Sequence, residues 1–126
     1  MITLEYLHEG SEDCPLVRLY NFERSDGVAL RDLCLTLAAG RVREVSLENL
    51  TFVKAIGGCG FVLCASAFNR GVDTPKTGAP FVMEYSEEGW REVADKIAPF
   101  VADSAGFQWL TNEGDVNVLL SRDGLW

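Results

Sequence analysis

A chain of 126 residues with 48% hydrophobic and 24% charged residues can bury one core, which excludes a disordered polymer and predicts a single domain over 1–126. Nineteen Asp and Glu against eleven Lys and Arg give a formal net charge of −8, and the scattered basic residues exclude nucleic acid and anionic membrane surfaces as partners. No apolar run approaches the roughly 20 residues that span a bilayer and the opening "MITLEYLHEG" is no secretory leader, so a cytoplasmic protein is expected.

Taken in chain order, Ile2, Leu4 and Tyr6 alternate with Thr3, Glu5 and Leu7, the period of a half-buried strand. "LVRLYNF" (16–22) supplies a second strand, antiparallel to the first across the turn "GSEDCP" (10–15). Ser25 is placed to cap a helix over 26–39 that Gly40 ends. Leu30, Leu33, Cys34, Leu37 and Ala38 share one stripe of it, so Cys34 reads as a core filler. Strands follow at 42–48, 51–56 and 61–68, then the polar connection "NRGVDTPKTGAP" (69–80) and a strand at 81–86. Ser86 caps a second helix with Glu87 and Glu88 in its first turn, where the helix dipole favours negative charge. Trp90, Val93, Ala94, Ile97 and Val101 form its buried stripe, and Pro99 should kink or end it. "FQWLTNEGDVNVLLS" (107–121) closes as a hairpin around 112–115, with Phe107, Trp109, Val116, Val118 and Leu120 on one side.

Both halves thus read strand, strand, helix, strand, strand. The strands entering the helices, "PLVRLYNF" (15–22) and "PFVMEYSE" (80–87), share Pro, Val and Tyr at matching places. A pseudo-duplicated ββαββ unit is therefore expected, within an α+β fold whose mainly antiparallel sheet of seven or eight strands carries two helices on one face.

"AIGGCGFVLC" (55–64) is the densest chemical signal. Its bland reading is a two-residue turn, with Gly58 and Cys59 at the centre of a hairpin joining 51–56 to 61–68. That register leaves Val53, Ala55, Val62 and Cys64 on a face the helices do not cover, which points to a homodimer. Cys59 with the lone histidine, His8, is the alternative, a reactive site. A nucleophilic thiol needs a base or cation beside it, and distance in sequence neither brings His8 to Cys59 nor excludes it; the phosphate-loop pattern and a second cysteine pair for a metal are missing. No catalytic residue, metal or cofactor is expected.

Binding candidates remain. Glu84, Glu87, Glu88, Glu92 and Asp95 make the second helix and its approach acidic, a surface for a basic protein partner. Arg70, Asp73, Thr74, Lys76 and Thr77 sit in the long loop, where function often lies. Trp126 must tuck back or anchor a partner. The expected role is a small acidic protein-binding domain of adaptor, inhibitor or immunity-like type. A small-molecule-binding domain or minor enzyme, with a pocket between sheet and helices, is the rival.

Overall fold

The structure is a computed structural model and describes residues 1–102 and 106–126. In chain order it has β1 (Ile2–Leu7), β2 (Leu16–Tyr20), α1 (Arg24–Ala38), β3 (Glu44–Ser46), β4 (Val53–Ala55), β5 (Phe61–Ala65), β6 (Gly71–Val72), β7 (Phe81–Tyr85), α2 (Glu87–Val101), β8 (Phe107–Trp109) and β9 (Asn117–Ser121). The α+β class holds. The single, mainly antiparallel sheet does not: the strands form two mixed sheets, ordered β4-β1-β2-β9-β8 and β3-β5-β7-β6. Pairs β1–β2, β3–β5, β6–β7 and β8–β9 are antiparallel, whereas β1–β4, β2–β9 and β5–β7 are parallel.

The expected hairpin across the glycines is the main correction. β4 pairs in parallel with β1 (Ile2 opposite Val53, Leu4 opposite Ala55), while β5 lies between β3 and β7 in the other sheet. Residues 56–60 therefore carry the chain from one sheet to the next. Gly57 and Gly58, at φ +65° and +69°, make that turn in a region an L side chain resists. Alternation assigns a strand two faces and says nothing about which strand lies beside it.

Both sheets follow one plan. An antiparallel pair (β1–β2 or β6–β7) meets, through a parallel contact, a strand from the other half of the chain (β9 or β5). That strand carries an antiparallel outer neighbour, β8 or β3. The shared Pro, Val and Tyr do not mark equivalent places, however. Val17 lies in the core and Tyr20 on the outer face, whereas Val82 faces outward and Tyr85 is buried in the core. The two segments are one pleat out of phase.

The helices do not lie on one face of one sheet; their apolar stripes and the inner faces of both sheets enclose a common core. Leu4, Val17, Leu19, Val118 and Leu120 enter it from the first sheet, and Phe61, Leu63, Met83 and Tyr85 from the second. Leu30, Cys34 and Leu37 of α1 meet Trp90, Val93, Ile97 and Phe100 of α2 there. The space left among these side chains is about 10 Å³, room for no more than one water. Register corrects the last hairpin too. Trp109 opposes Leu119, and Gln108 opposes Leu120, so Phe107 and Trp109 lie on the face away from Val118 and Leu120.

At one end the sheets are stitched together. Val116 N–H donates to the Val72 carbonyl at 3.0 Å, and Asp115 accepts from the Thr74 amide at 2.7 Å. Gly71 and Gly114 sit at this crossing, each with its missing Cβ aimed at the other strand's carbonyl.

Local capping rules explain both helix starts. Ser86 accepts from Gly89 N–H at 3.3 Å, as the sequence predicts. At α1 the cap is Glu23 rather than Ser25: Asp26 accepts from the Glu23 amide at 3.0 Å in a reciprocal capping box. Pro99 falls inside α2, two residues before its end, so the helix stops within a turn of the ladder bond that proline cannot make. Burial opposes the charge on Asp26, but the Met1 ammonium at 2.8 Å and the Glu23 amide outweigh it and hold the carboxyl below its usual range. A depressed carboxyl contributes stability above its unfolded pKa of about 3.9, and that contribution vanishes as pH falls through the folded value. Asp26→Ala is thus expected to cost about 1–2 kcal/mol at pH 7. Urea titrations at pH 7 and pH 3 should show the gap from wild type narrowing at the lower pH.

Candidate functional site

The glycine turn opens onto a groove of about 410 Å³ at the seam between the sheets, lined by Glu5, Tyr6, Ile56, Gly57, Gly58, Cys59, Gly60, Ala79 and Phe81. Tyr6 and Phe81 meet across the seam at 4.8 Å between ring centroids. Glu48 ties the far side, accepting from the Phe61 amide at 3.1 Å. Cys59 keeps only 8% exposure, and burial, helped by the Glu48 charge, pushes its thiol up to about 11. This is the reverse of what a nucleophile needs. His8 lies nearer Tyr6, its Nδ1 3.4 Å from the Tyr6 hydroxyl, and no hydrogen bond joins it to Cys59 among the described residues. Iodoacetamide at pH 7.5 is expected to modify Cys14, which is partly exposed, well before Cys59. Peptide mass mapping should show Cys59 reacting only as pH nears the raised value.

The acidic residues divide between two surfaces. Glu87, Glu88, Glu92 and Asp95 are exposed along the solvent side of α2, where Arg91 pairs with Glu87 at 2.8 Å. Glu84 does not join them. It stands on the outer face of the second sheet, opposite Cys64 and 3.7 Å from Arg70. Connection 69–80 is more ordered than its composition suggests. Gly71–Val72 form β6, Asp73 accepts from the Asp115 amide at 3.1 Å, and Thr74 is held by Asp115. Lys76 is exposed in the same connection.

Trp126 folds back. Its indole N–H donates to Asp13 Oδ2 at 2.9 Å, and Arg18 donates to the Gly124 carbonyl at 2.9 Å, so 122–126 lie along the outer face of β2. Leu16 and Leu119 on that face are fully buried, and Trp126 keeps 38% exposure. Beside it is a polar cluster that single-residue reasoning misses. Arg18 grips Glu5 at 2.6 Å and lies 4.0 Å over the Tyr20 ring, and Tyr20 donates to Glu5 at 3.0 Å. Burial and that bond raise the Tyr20 phenol. The β1–β2 register sets Glu5 directly opposite Arg18, so a cross-strand charge check on the predicted hairpin finds the pair.

Among the described residues no three His, Cys, Asp or Glu side chains gather as metal ligands would, and no helix is long and apolar enough to cross a membrane. No protein family, curated protein or solved structure matches the chain.

Proposed function

We propose that this is a non-catalytic protein-binding domain of the cytoplasm, with the solvent side of α2 docking a basic partner. The observation that carries the reading is the charge on that helix: four exposed carboxylates, Glu87, Glu88, Glu92 and Asp95, against Arg91, which Glu87 already engages, and the half-buried Lys96. A field of one sign speeds encounter with an opposite surface and repels like-charged ones. The filled core supports it too, because a small-molecule site is ordinarily a cleft of about 300–1,000 Å³ with converging polar groups. An inhibitor or immunity-like role, masking a basic surface on its target, fits the size and the net charge of −8.

The groove at Cys59 reaches the lower part of that volume range and supports the rival, a small-molecule site. Its suppressed thiol weighs against a covalent reaction there.

A charge-matched comparison tests the proposal. Glu88→Lys/Glu92→Lys and Glu9→Lys/Glu12→Lys change the net charge equally and alter different surfaces. Partners captured by the wild type at low salt should be lost about tenfold or more with the α2 variant, retained with the control, and released by added salt. Equal loss with both variants means that net charge alone drives capture and sinks the α2 assignment.

A further inference from the structure

The outer faces of the two sheets differ in what lies on them. Of the uncovered set expected from sequence, only Val62 and Cys64 stand on an outer face, that of the second sheet. Val53 is buried in the core, and Ala55 packs against it. The outer face of the first sheet carries a piece of the chain itself. Leu16 and Leu119 lie outside the common core and are still wholly buried, where 122–126 run back along β2.

That strap is held at two points, as a bound peptide is. The Gly124 carbonyl accepts from Arg18, and the Trp126 indole N–H donates to Asp13 Oδ2, both at 2.9 Å. Arg18 is itself fixed by Glu5 and by the Tyr20 ring beneath it. Between the two points the fit is close at one residue and open at the next. At Gly124, with φ +84°, a Cβ would stand 2.9 Å from Tyr20 Cδ2 and 3.1 Å from Arg18 Nη1. Leu125 is 68% exposed, so its side chain is unconstrained. The hold is also loose. Trp126 keeps 38% exposure, and among the described residues 123–126 make no backbone-to-backbone hydrogen bond. A segment fastened so lightly opens at small cost while the rest of the fold stays intact.

We propose that the outer face of the first sheet is a peptide-binding site, and that 122–126 occupy it as a tethered competitor. Its occupant in trans is an extended segment of a partner protein that carries glycine, any residue, then tryptophan. The glycine lets the backbone approach Tyr20 and bond Arg18, and the tryptophan reaches Asp13. The tether gives the strap an effective concentration of about a millimolar, so the site stays shut until a partner segment exceeds it. Both groups that the face grips, a carbonyl and an indole N–H, are neutral, so hydrogen bonding and shape decide the match. The inference goes beyond the α2 reading and is independent of it, since the surfaces share no residue.

Fluorescence anisotropy tests it, with the full chain titrated into a fluorescein-labelled peptide of sequence SRDGLW, that of residues 121–126. Trp126→Ala empties the tryptophan position and should bind the peptide with a dissociation constant of about 100 μM. The wild type, with its strap in place, should bind at least about tenfold more weakly. In the Trp126→Ala chain, adding Asp13→Ala, or putting alanine for the peptide's glycine, should weaken binding by about tenfold or more. Alanine for the peptide's leucine should change it by less than about twofold, and so should added salt, which releases a partner from α2. Trp126→Phe keeps a ring and drops the bond to Asp13, and it gives the same comparison if Trp126→Ala does not fold. A folded variant that fails to bind, a wild type that binds as well as the variant, or a peptide whose glycine is freely replaced overturns the proposal.

Discussion

Gly114→Ala is expected to destabilise the protein by about 3 kcal/mol or more. A Cβ at position 114 would stand 2.2 Å from the Val72 carbonyl oxygen, and one at position 71 would stand 2.1 Å from the Glu113 carbonyl oxygen. Both contacts are with backbone, so no rotamer relieves them. Both residues also hold positive φ, +82° and +65°, which alone disfavours alanine by about 1 kcal/mol. The neighbouring Val116–Val72 hydrogen bond must lengthen if the strands part, and with it the link between the sheets. Gly71→Ala should match it in direction and size. Urea denaturation of each variant is the check, and an alanine at either site that folds with wild-type stability would refute this account of the crossing.

The second large effect runs against helix propensity. Gly89 lies in the first turn of α2, where alanine ordinarily gains up to about 1 kcal/mol. Here its Cβ would meet Asn69 Oδ1 at 2.4 Å, Tyr85 Cδ1 at 2.7 Å and Tyr85 Cβ at 2.9 Å. Asn69 could swing away, but its Oδ1 accepts from both the amide and the hydroxyl of Ser86 at 2.9 Å, so moving it strips the helix start of two bonds. Tyr85 cannot move: its ring is wedged edge-on against buried Trp90, and its hydroxyl donates to Glu113 at 2.6 Å. We expect Gly89→Ala to lose about 2–3 kcal/mol, read as a fall in thermal midpoint of several degrees. A rise in midpoint would show that propensity outweighs the contact.

What was legible in the sequence was what neighbours in the chain decide. The β1–β2 pair, the Ser86 cap, both helices and the β8–β9 pair each follow from turn chemistry and periodicity within some twenty residues. The parallel pairs were not legible, because β2–β9 and β5–β7 join segments whose patterns contain no reference to one another. With β7 on one edge and β3 on the other, β5 has no edge left for β4, and this excludes the hairpin across the glycines. β6 went unseen because two residues, one of them glycine, carry no period. The site reading divides similarly. The carboxylates of α2 share a face because helical spacing sets them there, whereas Glu84 precedes the helix on β7, where the pleat turns it to the outer face of the sheet beside Arg70.

The crossing of halves also bears on how the chain folds. Leu16 of β2 pairs with Asn117 of β9, so the centre of the first sheet waits for residues far along the chain from β2. Until then β2 has one bare edge, able to accept any passing strand. Closing so long a loop costs entropy before any contact repays it, which favours slow folding, rate-limited by formation of the β2–β9 pair. Neither half can shelter its apolar residues alone, since the first lends β3 and β5 to the second sheet and the second lends β8 and β9 to the first. A cut in the exposed 75–79 segment would therefore release two pieces that recover structure only together, as complementary fragments.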